Sequence, residues 1–296
     1  MLGSLGAYCA QGDSPRMRPS IVCYADILGY DALSREAVED DRGDEFLLRI
    51  YRAMTRVHGA MHSHNSVHGR HLYELKAFTD NVVVGYPILD TGLGEIELLD
   101  ILELFAQFQA NLAAAGFLAR GGIAFGDHYM GDDVVFGPAL LDAVAAEKRG
   151  GAPRLALTDS AVELLQLHGE FYGLPRYAPS SDYVLRDADG VFFLNYLAIA
   201  FMLFPESGVS IEHIEGHAST VSHGLVTYVA NPGVRGKYEW AARYHNYVCR
   251  DFVRRHPVPV GSAGDPEYVA ACEDAQRLLE YLIDIEALAA HPESPW

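Results

Sequence analysis

The chain has 296 residues, half of them hydrophobic and about a fifth charged, which is typical of a globular protein and argues against a disordered one. Its formal net charge of −18 argues against a nucleic-acid-binding surface, because a long polyanion requires a face rich in Lys and Arg. A nucleotide substrate is not excluded, because a local pocket with a bound divalent cation can supply the positive charge.

The cysteines and the apolar segments indicate the cellular compartment in which the protein is expected. The four cysteines are scattered and form no CxxC pair, so free thiols in a reducing cytoplasm are expected. Residues 1–19 lack the basic start and the apolar core of a signal peptide, and we expect them to be poorly ordered. The longest apolar run, residues 191–204, is too short to span a membrane and contains Asn195, so we interpret it as buried core.

The first half of the chain alternates strand-like and helical patterns. The first four predicted elements are a strand over 21–29, a helix over 46–61, and a hairpin of two strands over 71–78 and 81–87. After them the periodicity predicts a helix over 95–115, strands over 118–126 and 128–137, a helix over 138–149, and a strand over 153–158 followed by a short helix. A strand–helix–strand start followed by a hairpin is typical of an α+β fold, with a mixed sheet that carries helices on one face.

The second half of the chain gives a weaker pattern. Residues 192–199 look strand-like or buried, and residues 236–255 and 268–290 look helical. We therefore predict a flexible N-terminus over 1–19, a domain over 20–165, and an extension over 166–296 that packs on that domain.

Two aspartates stand at positions suited to a metal site. Asp26 follows the apolar part of the first strand, and the predicted hairpin turn can bring the carboxylate of Asp80 beside it. Two carboxylates with a backbone carbonyl form a hard oxygen site for Mg²⁺ or Mn²⁺. Gly29 has no Cβ, so the following backbone is free to approach an anion. The alternative is that both aspartates make only local hydrogen bonds or are solvated, and the spacing alone does not decide between the two.

Three segments taken together resemble the class III nucleotidyl cyclases. Residues 26–30 (DILGY) are similar to the D-I-x-G-F segment of that family, residues 76–80 (KAFTD) to its K-x-x-G-D turn, and residues 120–126 (RGGIAFG) to its R-x-G-I-x-x-G strand. Thr79 stands where the family has glycine, and Tyr30 where it has phenylalanine. The likeness covers roughly residues 20–160 and implies the ferredoxin-like palm of these enzymes.

The resemblance also implies a mechanism. By analogy with the family, Asp26 and Asp80 would hold two divalent cations, Mn²⁺ or Mg²⁺, with the backbone carbonyl of Ile27 as a further ligand. Arg120 would contact the triphosphate of a nucleoside triphosphate, and the backbone after Gly29 would cradle it. The ribose 3′-hydroxyl would attack the α-phosphorus and release pyrophosphate. Members of the family work as head-to-tail dimers with shared sites, so a homodimer is implied.

One family element is missing. A helix of the family carries an Asn and, four residues later, an Arg that stabilise the transition state, and the aligned positions here are Leu141 and Ala145. The stretch 136–155 and residues 237–246 resemble the pyrimidine cyclases of bacterial Pycsar anti-phage systems, which make cyclic UMP or cyclic CMP. The first interpretation is therefore a uridylate cyclase. A cytidylate or adenylate cyclase and an inactive module that binds a nucleotide or a partner stay open. Glu147 is expected to be a surface residue of its helix.

Lys76 is the candidate residue for reading the base. An ammonium group only donates hydrogen bonds, so it can meet O2 or O4 of uracil, O2 or N3 of cytosine or N1 of adenine, and it suits the donor edge of guanine poorly. Tyr30 and Phe78 are bulky neighbours that could fill the space that a purine would need. The alternative for Lys76 is a solvated lysine on a strand.

Overall fold

The computed structural model describes residues 6–8, 15–62, 66–67, 70–88, 94–149, 151–173, 178–201, 210–259 and 266–286. The chain forms two compact units. The first comprises residues 1–108 and 119–195, and the second comprises residues 109–118 and 196–296. The domain limits predicted from the sequence, 20–165 and 166–296, stay a prediction.

The first unit is built on a mixed sheet of eight strands. The strands of the described residues are β1 (Arg18–Ile27), β2 (Ser66–Val67), β3 (Arg70–His71), β4 (Glu74–Phe78), β5 (Asn81–Pro87), β6 (Ala119–Met130), β7 (Val135–Phe136), β8 (Leu155–Leu157), β9 (Val184–Arg186) and β10 (Phe192–Leu194). The order in the sheet is β4-β5-β1-β6-β8-β10-β9, with β7 paired to β6, whereas β2 and β3 form a separate ribbon. Strands β6 and β8 are parallel and the other pairs are antiparallel. The predicted α+β fold on a mixed sheet is confirmed.

Among the described residues, five α-helices begin in the first unit, namely α1 (Tyr30–Glu39), α2 (Gly43–His62), α3 (Gly94–Ala114), α4 (Pro138–Arg149) and α5 (Asp159–Phe171). Two sequence predictions are wrong in detail. The strand predicted to end at Gly29 ends at Ile27, because the chain turns at Gly29 and α1 begins. The strand predicted over 128–137 is divided, because β6 continues to Met130 and a turn in which Gly131 donates to the Val134 carbonyl leaves β7 only two residues.

Helix α4 packs closely on one face of the central strands. Successive side chains of a strand point to opposite faces, so Val22, Tyr24 and Asp26 of β1 share this face. The helix contributes Ala139 and Ala143 to a core cluster that also contains Val22 and Ala124. Small residues on the two elements allow the close approach, and a Cβ at Gly122 would lie only 2.8 Å from the Cβ of Ala146.

The second unit is helical in its described part. It contains α6 (Ile211–Thr227), α7 (Pro232–Arg255), α8 (Pro266–Gln276) and 3-10 turns over Tyr196–Phe201 and Arg277–Tyr281. The helix predicted over 236–255 is confirmed as part of α7. The longer helix predicted over 268–290 is wrong, because α8 ends at Gln276 and a 3-10 turn follows. Among the described residues, no helix combines the length and apolar character that crossing a bilayer requires.

A buried chain of hydrogen bonds links the elements of the second unit. The Tyr196 hydroxyl lies 2.7 Å from Nε2 of His217, the two Nδ1 atoms of His217 and His245 are 3.0 Å apart, and Nε2 of His245 is 3.0 Å from the carbonyl oxygen of Tyr281. A carbonyl only accepts, so Nε2 of His245 carries the hydrogen, and its Nδ1 accepts from His217. Nε2 of His217 then accepts from Tyr196. Burial lowers the pKa of His245 to about 4 and also lowers that of His217, so both rings are neutral.

Candidate functional site

Strand β1 places Asp26 between its two neighbouring strands. Asp26 lies opposite Asn81 of β5 on one side and opposite Arg120 of β6 on the other. Residues directly opposite in antiparallel strands have their side chains on the same face, and Tyr24 shares that face because it precedes Asp26 by two residues. Four polar side chains from three strands are therefore grouped on the face that also carries α4.

Arg120 lies between two carboxylates from different elements. Its Nε and Nη2 atoms each lie 3.0 Å from Oδ2 of Asp26, and Nε also lies 2.9 Å from Oε1 of Glu147 in α4. The Glu147 side chain is 8% exposed, that of Asp26 14% and that of Arg120 31%. The expectation that Glu147 is a surface residue is wrong, because the short distance between α4 and the sheet buries its carboxylate beside Arg120.

The hairpin turn brings Asp80 to the end of β1. The backbone N–H of Ile27 donates to the carbonyl oxygen of Asp80 at 3.0 Å, which ties the turn to the strand end. Nδ2 of Asn81 donates to Oδ1 of Asp80 at 2.9 Å, and the Thr79 hydroxyl lies 2.7 Å from the same oxygen. Thr79 adopts φ 53°, a left-handed conformation. That conformation explains why glycine suits this turn in the resembled family.

The two aspartates influence each other electrostatically. Burial, as the largest cause, raises the pKa of Asp26, whereas its hydrogen bond to Arg120 lowers it. Hydrogen bonding with the carboxyl group of Asp80 raises the pKa of Asp26 again, and the net shift is upward. Two carboxyl groups in mutual contact favour either a shared proton or a bound cation, because both relieve their repulsion.

Tyr24 and Asn81 are site residues that the sequence reasoning did not select. The Tyr24 hydroxyl donates to Oδ1 of Asn81. The pKa of Tyr24 is raised mainly by burial, and also by the negative charges of Asp26, Glu147 and Asp80. The spacing of Tyr24 two residues before Asp26 on one strand was the available signal. Glu147 had no such signal, because its position depends on how α4 packs.

Lys76 is directed to a different part of the same unit. It lies on β4, and its Nζ donates to the carbonyl oxygen of Asp132 at 3.1 Å and lies 3.8 Å from the Asp132 carboxylate. The structure thus brings Asp26, Asp80 and Arg120 together, whereas the ammonium group of Lys76 contacts the turn before β7.

The other predicted substrate-binding residues surround the strand ends. Gly29 has φ 74° and precedes α1, and a Cβ there would meet no atom within 4 Å, so its requirement is conformational rather than steric. Tyr30 opens α1, and its ring packs against that of Phe46 at 6.0 Å between centroids. Phe78 ends β4 and is exposed. Leu141, at one missing family position, is 70% exposed, and Ala145 at the other is also exposed.

The residues present fit a hard divalent cation that shares its coordination with a substrate. Asp26 and Asp80 offer carboxylate oxygens, and the strand end at Ile27 lies against the Asp80 backbone. Among the described residues, no group of three or more His, Cys, Asp or Glu side chains is arranged to hold a metal ion. Two carboxylates suit Mg²⁺ or Mn²⁺, which commonly use one or two carboxylates and complete their shell with phosphates and water.

Comparison with known proteins gives structural likeness but no match in sequence. No protein-family model matches the chain, and no curated protein matches it in sequence. Among solved structures, the adenylyl cyclase CyaB from P. aeruginosa is similar at 13% sequence identity and a TM-score of 0.42, over 60% of this chain and 94% of that one. A likeness of this size does not carry a functional assignment, so the function is derived from the residues of this chain.

Proposed function

We propose that the chain is a metal-dependent nucleotidyl cyclase. The observation that carries the proposal is the meeting of Asp26 and Asp80 at the end of β1, with the Arg120 guanidinium hydrogen-bonded to Asp26. An acidic pair that can hold a cation, beside a fixed positive group, is what a triphosphate substrate requires. The three sequence segments that resemble class III cyclases contain these same residues.

Each residue has a role in the proposed reaction. Asp26 and Asp80, with the Ile27 carbonyl, would hold Mn²⁺ or Mg²⁺, which supplies the charge that activates the ribose 3′-hydroxyl and neutralises the triphosphate. Arg120 binds the triphosphate oxygens and orients them for in-line attack on the α-phosphorus. The backbone at Gly29 has open space for the phosphates, because no atom lies within 4 Å of its Cβ position.

UTP is the substrate that we propose, with 3′,5′-cyclic UMP as a second messenger in anti-phage defence. The support is the resemblance of residues 136–155 and 237–246 to Pycsar cyclases, whereas the donor-only chemistry of Lys76 argues only against GTP. The exposed ring of Phe78, two residues after Lys76 on β4, is available to border a small base. CTP and ATP are the next candidates.

A homodimer would complete the site. Four large apolar side chains of the first unit are exposed on or near the elements that carry the site, namely Phe78, Val134, Phe136 and Leu141. A contiguous patch of exposed apolar residues favours a protein interface over a solvated surface, and these four lie on β4, before β7, on β7 and on α4. The head-to-tail dimer of the resembled family would cover such a surface and bring residues of a second chain to the metal site.

A second candidate is an inactive module that binds a nucleotide or a partner protein. The observation that favours it is that Leu141 and Ala145 stand on the exposed side of α4, where the family has its Asn and Arg. Neither side chain can stabilise a phosphoryl transition state. The Asp26–Arg120–Glu147 arrangement supports the cyclase, because it keeps a cationic group beside Asp26, one of the two proposed metal ligands.

The test is incubation of the purified protein with each of the four nucleoside triphosphates and Mn²⁺, with products identified by mass spectrometry. We expect cyclic UMP from UTP, and a loss of at least about 100-fold in Asp26→Asn and Asp80→Ala. Asp44→Asn, which changes an exposed aspartate of α2, is the matched control and should keep full activity. Full activity of Asp26→Asn would show that the metal assignment is wrong. An inert wild type that still binds a nucleotide would favour the binding module.

A further inference from the structure

Glu147 is a buried carboxylate for which the proposed reaction has so far no role. It lies near the end of α4, and only 8% of its side-chain surface is exposed. A buried carboxylate is costly unless a cation accompanies it. Among the described residues, the ion pair of Glu147 is with Arg120, at 2.9 Å between Oε1 and Nε. Helix α4 therefore carries an anion whose contact is with the triphosphate-binding candidate.

The guanidinium of Arg120 has two competing partners. Oδ2 of Asp26 accepts hydrogen bonds from both Nε and Nη2 of Arg120, and Oε1 of Glu147 also lies close to Nε. A divalent cation at Asp26 would compete with the guanidinium for that oxygen, because both are cations that bind the same carboxylate. Arg120 must then move away from Asp26 while staying close enough to meet the phosphates.

We propose that Glu147 is a positioning residue that retains the Arg120 guanidinium in the cleft when a divalent cation occupies Asp26, and so directs it to the triphosphate. This inference rests on the proposed function. In the structure Arg120 contacts both Asp26 and Glu147; with a cation and a triphosphate bound, it would keep its contact with Glu147 and meet a phosphate oxygen. Within the part of the chain that the structure describes, Asp26 and Glu147 are the carboxylates paired with Arg120, so without Glu147 its side chain, which is 31% exposed, would lose that contact after leaving Asp26.

The change in triphosphate affinity caused by one substitution distinguishes a positioning role of Glu147 from a purely electrostatic effect of its charge. Removing a negative charge near the site should by itself tighten the binding of a polyanionic triphosphate, because repulsion falls. Loss of a positioning contact should weaken binding instead, because Arg120 no longer arrives in place. Glu147→Gln keeps the size of the side chain and removes the charge, so the direction of its effect is decisive.

The experiment measures equilibrium binding of non-reactive α,β-methylene analogues of the four nucleoside triphosphates in Ca²⁺, by calorimetry. We expect Glu147→Gln to weaken the Kd of the preferred analogue roughly tenfold, the size of coupling usual within one charge network. Glu147→Asp keeps the charge but shortens the side chain, and should lie between the wild type and Glu147→Gln. Glu163→Gln, which changes an exposed glutamate of α5, is the matched control and should bind like the wild type. Thermal unfolding of each variant verifies that it is folded.

The double variant tests that Glu147 acts through Arg120. Arg120→Gln alone should weaken binding, and adding Glu147→Gln should weaken it no further, because the contact to be positioned is already gone. Binding that is unchanged or tighter in both Glu147 variants would overturn the inference, as would losses in the two single variants that simply add. If the wild type binds none of the four analogues, the proposed function itself fails and the inference fails with it.

Discussion

Gly122 and Gly126 of β6 offer a test of how closely α4 must approach the sheet. A Cβ at Gly122 would lie 2.8 Å from the Cβ of Ala146 and closer still to the carbonyl oxygen of Ala143, whereas ordinary contact begins at 3.4 Å. Helix α4 would have to retreat by more than 1 Å, because the Ala143 carbonyl oxygen lies only 2.2 Å from that Cβ position. A Cβ at Gly126 would lie 3.6 Å from Ala139 of the same helix, an ordinary contact.

The two substitutions should therefore have opposite effects on stability. Gly122→Ala should lower the free energy of unfolding by about 1–3 kcal/mol, the usual cost of overpacking. Gly126→Ala should leave it unchanged or raise it by up to about 1 kcal/mol, because alanine reduces the entropy of the unfolded chain. Urea unfolding followed by circular dichroism measures both values.

Activity should follow the same order if Glu147 positions Arg120. Glu147 follows Ala146 in α4, so a retreat of the helix would lengthen its 2.9 Å contact with Arg120. A displacement of about 1 Å at a positioned group can cost about 100-fold in rate, so Gly122→Ala should lose most of its cyclase activity and Gly126→Ala should not. Equal stability of the two variants would refute the packing argument, and a stable, fully active Gly122→Ala would do so as well.

Three further predictions concern acid stability, base selection and assembly. Burial lowers the pKa of His245 from 6.5 in the unfolded chain to about 4 in the folded protein. Between these pH values the unfolded chain binds more protons than the folded one. The folded protein therefore loses stability as the pH falls from about 6.5 to about 4. The loss should reach about 3 kcal/mol from this residue, and a Tm that is flat over that range would contradict it. Lys76→Ala should change which triphosphate is preferred, because its ammonium group is the proposed donor to the base. Mn²⁺ binding should stay intact, because the contacts of Nζ are with Asp132. An unchanged preference and rate in the product assay would remove Lys76 from the base pocket. Leu141→Glu should convert the proposed dimer into a monomer, as measured by light scattering. The control Leu167→Glu, on the exposed face of α5, should stay dimeric. A wild-type protein that is monomeric would contradict the proposed dimer.

The sequence predicted the sheet better than it predicted the environment of the site. Apolar alternation and turn residues were enough to find β1, the β4–β5 hairpin and α4, because these patterns are local. Helix α1 was missed, since it is short and has a single buried residue, Ala37. Helix α6 was also missed, because its many His, Ser, Thr and Gly residues are weak helix formers and packing decides its structure.

The same distinction applies to the residues of the candidate site. Asp26, Asp80 and Arg120 were selected because each lies within a short segment of recognisable spacing, and the structure brings them together. Glu147 could not be found in this way, because its burial results from the packing of α4 on β6, which the spacing of residues in the sequence does not record. Residues brought to a site by tertiary packing give no periodic signal in the sequence.

The left-handed turn residue Thr79 has a consequence for the evolution of this hairpin. A β-branched residue at φ 53° is strained, by about 1–2 kcal/mol, and glycine would relieve that strain. The threonine hydroxyl, however, lies 2.7 Å from the Asp80 carboxylate, and glycine would remove it. Glycine at position 79 would make the protein more stable, whereas threonine orients the Asp80 carboxylate. Selection for thermal stability at this position would therefore oppose selection for activity.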